Sequence, residues 1–133
     1  MMPETPKLTV DCVVFDAEDR LLLIRRKNER FAGQYALPGG FVDVGESVEA
    51  AALRELKEET SVEGEIVRLI GVYSAPDRDP RGHTVSAAFL VRTDATEVVG
   101  GDDAAEAAFV SDWQREKLGF DHAEIVADAL KLR

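Results

Sequence analysis

Glu55, Glu58 and Glu59 stand at i, i+3 and i+4 within Arg54-Glu55-Leu56-Lys57-Glu58-Glu59-Thr60. On a helix of about 3.6 residues per turn, three carboxylates at this spacing share one face. Like charges so placed repel by a few tenths of a kcal/mol per pair, so the cluster makes most sense with divalent cations among its oxygens. Oxygen donors that leave room for water and phosphate suit a small hard cation, Mg2+ first and Mn2+ as its substitute. Arg54, four residues before Glu58, is placed to hold that carboxylate by a charge-assisted hydrogen bond. Just upstream, Pro38-Gly39-Gly40 breaks the chain, and Glu46 is read as anchoring this glycine loop to the helix rather than as a metal ligand.

The elements that must position these groups follow from the hydrophobic pattern. Leu8 to Phe15 and Leu21 to Ile24 are apolar runs around the polar turn Asp16-Ala17-Glu18-Asp19, which predicts a hairpin. Phe41-Val42-Asp43-Val44 reads as a short extended piece, and a helix runs from about Glu46 or Ser47 to Thr60 with Ser47 as N-cap. Ile66 to Tyr73 and Val85 to Val91 read as strands, separated by the proline-rich loop Pro76 to Gly82. Gly100-Gly101-Asp102-Asp103 is a turn, Ala107 to Val110 a short last strand, and Ser111 caps a brief turn. Asp121 caps an amphipathic helix through Ile125, Val126, Ala129 and Leu130, and Trp113 reads as a packing residue under the last turn. This order predicts a mixed sheet between helical layers.

A chain of 133 residues is expected to form one domain, residues 1–133. Sixteen Lys and Arg against 26 Asp and Glu give a net charge of −10, which argues against nucleic acid as a partner. A small anion remains compatible, because bound cations invert the field of an acidic pocket. The single cysteine, Cys12, sits in an apolar run and reads as a buried small hydrophobe in a reducing compartment. The chain holds no long apolar span or export signal, so a soluble cytoplasmic protein without membrane contact is expected.

Gly40, Glu46, Arg54, Glu55, Glu58 and Glu59, with aliphatic Leu56 and Val62, resemble the signature of the Nudix hydrolases. One position departs from it: Ser61 stands where the family usually has glycine, at a place where a left-handed helix cap would cost a serine about 1 kcal/mol. The resemblance covers essentially the whole chain and implies an α/β/α sandwich with a mixed central sheet. It also implies Mg2+-dependent cleavage of a nucleoside diphosphate linked to another group, and a homodimer. It makes Glu59 and Glu55 the principal metal ligands, with Glu58 sharing or orienting them and the backbone carbonyl of Gly39 completing the shell. The general base is then either a helix glutamate or Glu106, which follows the Gly101 turn.

Val72 to Ser86 resembles the segment of a Nudix subset acting on ADP-ribose. Its prolines stiffen a loop offering Arg78 and Arg81 as fork-shaped donors to a diphosphate or ribose, with His83 as a further hydrogen-bonding group. The competing reading closes that loop through internal pairs of Asp77 and Asp79 with the arginines. Phe120-Asp121-His122 resembles the same subset, although helix capping accounts for most of it. Arg25 and Arg26 are phosphate-binding candidates on alternate faces of a strand end. Phe31, Tyr35 and Phe41 flank the glycine loop and could stack an adenine, with Phe41 assigned to the core. These features together point to hydrolysis of ADP-ribose to AMP and ribose 5-phosphate. The rivals are a nucleoside triphosphate pyrophosphohydrolase with a housecleaning role and a non-catalytic ADP-ribose-sensing module.

Overall fold

The computed structural model describes residues 2–26, 34–100 and 104–133. β1 (Lys7–Phe15) sits inside a mixed sheet and is buried on both faces from Val10 onward. Strand alternation sends Val10, Cys12 and Val14 to one side and Asp11, Val13 and Phe15 to the other. The apolar members of the two sets join separate clusters. This two-sided burial is why the segment reads as a continuous apolar run. β6 (Thr84–Arg92) runs parallel to β1 in unbroken register from Lys7↔Thr84 to Phe15↔Arg92. β5 (Glu65–Tyr73) pairs antiparallel with β6.

The expected hairpin forms, but only at its closed end. Asp16 organises the turn by accepting from the backbone N–H groups of Glu18 and Arg20 at 3.0 and 2.9 Å. β2 (Leu21–Arg26) then pairs with β1 at Phe15↔Leu21 alone. Its other antiparallel neighbours are β3 (Tyr35–Ala36), at Ile24 and Arg25, and β7 (Ala104–Val110), from Leu21 to Arg26. The edge of β1 is taken by β4 (Gly39–Phe41), with Asp11 opposite Gly39 and Val10 opposite Gly40. The extended piece expected over Phe41 to Val44 therefore lies earlier. Asp43 to Glu46 is a turn closed by Glu46 N–H to Asp43 O at 3.1 Å, with Gly45 at φ 89°. Residues 101–103 of the expected turn lie outside the described residues.

One helix covers each face. α1 (Val48–Thr60) buries Ala51, Ala52 and Leu56 against Val10, Cys12, Phe89 and Val91. Its N-terminus is capped as expected, Ser47 Oγ accepting from Ala50 N–H at 3.1 Å. It ends at Ser61, which takes the left-handed conformation at φ 62° and donates its N–H to Lys57 O at 2.9 Å. α2 (His122–Leu130) buries Ile125, Val126 and Ala129 against Val13, Phe15, Leu23 and Leu37 on the opposite face. The layers are thus α/β/α. Trp113 packs edge-on to Phe15 at 5.8 Å between ring centroids. Its short 3-10 turn, Trp113–Arg115, starts at Asp112 without a side-chain cap, so Ser111 does not have the capping role expected of it. Cys12 is fully buried, donates to Ala52 O at 3.4 Å, and has its thiol pKa pushed up by burial. Among the described residues no helix is long and apolar enough to cross a membrane.

Candidate active site

β4 and α1 meet through contacts that only glycine allows. Gly39 N–H donates to Glu59 Oε1 at 2.7 Å, and a Cβ on Gly40 would come within 2.5 Å of the Glu55 carboxylate. A Cβ on Gly39 would run into the Val10 carbonyl. The absence of side chains therefore brings main chain against two helix carboxylates. Glu59 is buried at 7% exposure, whereas the Glu58 side chain is 60% exposed.

Arg54 ties the same region together. Its Nε and Nη2 donate to the two Glu46 oxygens at 2.7 and 2.8 Å, and Nη2 also donates to Phe41 O at 3.0 Å. Its Nη1 donates to Glu55 at 2.8 Å and to Glu58 at 3.2 Å. The expected hold on Glu58 is present, but the bidentate bond to Glu46 is tighter. That bond, assisted by the Asp43 N–H, lowers the Glu46 carboxyl to about 2, and Glu46 in return raises the Arg54 guanidinium. Glu46 thus joins the loop to the helix, as read from the sequence.

The carboxylates open on a cavity of about 490 Å³ whose lining also includes Arg78, Arg81 and Phe120. Arg78 is a buried element of structure as well as part of this lining, its side chain only 4% exposed. Its Nε and Nη2 donate to Asp121 at 2.9 and 2.7 Å, and its Nη1 donates to Thr84 Oγ1 at 2.9 Å. Burial pulls this guanidinium down, but the paired Asp121 carboxylate outweighs it and the net shift is upward. Asp121 therefore corrects the sequence reading: at the start of α2 it makes no side-chain cap, because two charge-assisted bonds to Arg78 outcompete one backbone N–H. Arg81 donates to Asp79 at 2.9 Å and lies 5.4 Å above the Phe120 ring. The internal Asp79–Arg81 pairing and the cavity-lining position thus coexist.

Other candidates fall elsewhere. Arg25 and Glu106 are register partners on β2 and β7 and are absent from the cavity lining. Arg25 Nε lies 3.2 Å from Glu106 Oε1, an ion-pair distance without hydrogen-bond alignment, and its guanidinium stacks 4.2 Å from the Tyr35 ring. Tyr35 donates to Glu106 at 3.4 Å. His83 contacts Ser74 O at 3.0 Å and borders an adjoining cavity of about 570 Å³ with Lys7 and Phe41. Phe41 is not a core residue: it is 46% exposed with the Lys7 ammonium 5.6 Å from its ring, because β4 ends there with one face unpacked. Phe31 and the Arg26 side chain lie outside the described residues.

Asp11 lies within a run that the sequence presents as an apolar strand, and sequence reasoning assigns it no role. It is buried at 6% exposure, lines the cavity, accepts from Ser86 Oγ at 2.5 Å, and has His122 Nε2 at 3.2 Å from its Oδ1. A lone carboxylate inside a run buried on both faces was the available signal, because such a charge needs partners.

The donor chemistry suits a divalent cation: Glu55, Glu58 and Glu59 offer hard oxygen donors and line one cavity together with Gly39 and Gly40. Among the described residues no three His, Cys, Asp or Glu groups are already drawn together as a coordination set. The glutamates are instead engaged by N–H donors of Arg54 and Gly39.

Residues 5–129 match the sequence profile of the family described as NUDIX domain. An ADP-ribose pyrophosphatase of Methanocaldococcus jannaschii is 47% identical over 126 residues, spanning 95% of this chain and 74% of that protein. The NUDIX domain of Shewanella oneidensis NrtR, solved with ADP ribose, superposes with TM-score 0.88 at 28% identity, covering 97% of this chain and 89% of that one. A bifunctional NMN adenylyltransferase/ADP ribose pyrophosphatase of Francisella tularensis, solved with AMP and a Mn ion, gives TM-score 0.86 at 28% identity over 97% of this chain and 42% of that one.

Proposed function

From the premise that this chain belongs to the Nudix family, hydrolases of phosphoric anhydrides that use a divalent metal, we propose that it cleaves ADP-ribose to AMP and ribose 5-phosphate. The observation that carries this reading is a single cavity bordered by Glu55, Glu58, Glu59 and the glycine turn together with Arg78 and Arg81. Glu55 and Glu59 with the Gly39 carbonyl would be the principal groups holding the ion, Mg2+ with Mn2+ as a substitute, and Glu58 would stand at its border. When bound, the ion supplies neutralisation of diphosphate charge and acidification of water.

The chain's own groups do the rest. Arg78, held rigid by Asp121 and Thr84, sets a fixed positive charge in the cavity wall that favours a diphosphate, with little entropy left to lose. Arg81 sits beside it, 44% exposed, on the Phe120 ring. Glu58 is the exposed member of the helix triad and the more weakly held of the two carboxylates that Arg54 contacts, so it is the one best placed to take a proton from an attacking water. Glu106 remains the competing base, and Glu106→Gln decides between them. Turnover within about threefold of wild type favours Glu58, and a fall of about a hundredfold with intact metal affinity transfers the role to Glu106.

The same proposal places the protein in the cytoplasm as a homodimer acting on a free small nucleotide and binding no nucleic acid. A panel of ADP-ribose, other nucleoside diphosphate derivatives and nucleoside triphosphates, assayed with Mg2+ and with Mn2+, tests it. ADP-ribose is expected to lead and to yield AMP and ribose 5-phosphate, and triphosphates turned over tenfold faster would reject the substrate assignment.

A further inference from the structure

The first turn of α2 reaches the glycine turn through one imidazole. Leu37 N–H donates to His122 Nδ1 at 3.0 Å, which places the ring proton on Nε2, 3.2 Å from Asp11 Oδ1. Asp11 is held in turn by Ser86 Oγ and faces Gly39 across the β1–β4 pairing. Leu37 precedes Pro38 and Gly39, and Gly39 N–H holds Glu59. A chain of bonds thus runs from Asp11 through His122 and the Leu37 amide into the turn that grips a helix carboxylate. All of its side chains are buried: His122 is 4% exposed, Asp11 6% and Ser86 0%.

We infer that His122 is a positioning residue for the metal site, fixing the Leu37–Gly39 backbone so that the Gly39 main chain and Glu59 are presented together. The inference rests on the metal site proposed above and adds to it a residue on another helix, outside the signature segment. The imidazole is suited to this task because it bridges an N–H donor and a carboxylate acceptor with one atom each. The neighbouring Asp121 serves a different target, Arg78. One helical turn therefore carries two duties with different direct partners, joined through Asp11, whose Oδ2 lies 3.8 Å from Arg78 Nη2, and their unequal effects on metal binding distinguish a positioning role from a general loss of packing.

The test is the affinity of the full chain for Mn2+ alone, measured by electron paramagnetic resonance without substrate, with a thermal midpoint for every variant. His122→Ala is expected to weaken Mn2+ binding about tenfold, the order seen when the group orienting a metal ligand is removed. His122→Asn keeps an acceptor near the Nδ1 position and is expected to recover part of that loss. Asp121→Asn, which loosens the same helix start, is expected to stay within about twofold of wild type. Wild-type affinity in His122→Ala, or an equal loss in Asp121→Asn, would overturn the inference while leaving the metal site standing. A wild-type chain that takes up no Mn2+ would overturn both. Should His122→Ala fail to fold, the decision passes to the other two variants: weaker binding in His122→Asn than in Asp121→Asn supports the role, and equal affinities reject it.

Discussion

Two parts of the cavity lining are built in opposite ways. The carboxylate part comes from one element, α1, where Glu55, Glu58 and Glu59 share a face by helical spacing and Arg54 holds two of them from the same turns. The part around Arg78 is assembled from separate segments: Asp11 on β1, Arg78 in the loop before β6, Thr84 on β6 and His122 on α2 line it, and Ser86 and Asp121 hold Asp11 and Arg78 from behind. The first part needs only a helix in order to exist. The second exists only in the folded chain, so its side chains are committed to one another as well as to any ligand.

That contrast predicts which substitutions harm chemistry and which harm the fold. Glu59→Gln is expected to lower kcat by about 10²- to 10³-fold with a thermal midpoint near wild type, because the amide oxygen can still accept from Gly39 N–H while the charge is gone. Steady-state rates and a melting curve on the same sample measure both. A variant that keeps full turnover would remove the carboxylate face from the mechanism.

Arg78→Ala is expected to behave in the reverse sense. It leaves the Asp121 carboxylate without its bidentate partner and Asp11 without a nearby cation, for a cost of about 3 kcal/mol in urea unfolding, and it raises KM as well. A large rise in KM with unchanged stability would mean that Arg78 acts on the ligand alone, and the comparison would lose its basis.

Ser61→Gly sharpens the comparison on the α1 side. It is expected to stabilise the protein by about 1 kcal/mol, since glycine adopts the left-handed conformation without the Cβ clash that serine bears at φ 62°. Activity should not change. A loss of stability would show that the serine hydroxyl contributes more than its backbone costs.

The smallest effect concerns Glu46. Its carboxyl is depressed from 4.5 to about 2 by Arg54, so its contribution to stability is complete above the unfolded value and is lost as the pH falls toward 2. The difference in thermal midpoint between wild type and Glu46→Gln is expected to be constant above pH 4.5 and to shrink between pH 4.5 and 2. A difference that does not vary with pH would show that the pairing with Arg54 is equally strong in the unfolded chain.

How much could be read in advance follows the same division. The glutamate face, the Ser47 cap, the end of α1 and the anchoring role of Glu46 were all legible, because each depends on residues within a few turns of one another. The hairpin of β1 and β2 was legible only at its turn, since β4 competes for the same edge and no local pattern reveals that competition. Phe41 has the apolar character of a core residue, yet it stands at the end of β4, half-exposed, with the Lys7 ammonium over its ring. Asp121 looked like a helix cap because capping is the local use of an aspartate, and a guanidinium 43 residues away outbid it.

By itself, then, the order of residues determined the helix that gathers three carboxylates and the glycines that must approach it, because spacing along a helix and the lack of a Cβ are properties of short segments. Only the tertiary structure decided that Arg25 and Glu106 pair away from the cavity, that Arg78 is buried against Asp121, and that Asp11 and His122 brace the glycine turn. Those partnerships join segments brought close only by packing of the two helices on the sheet, and buried charges take whichever partners that packing supplies.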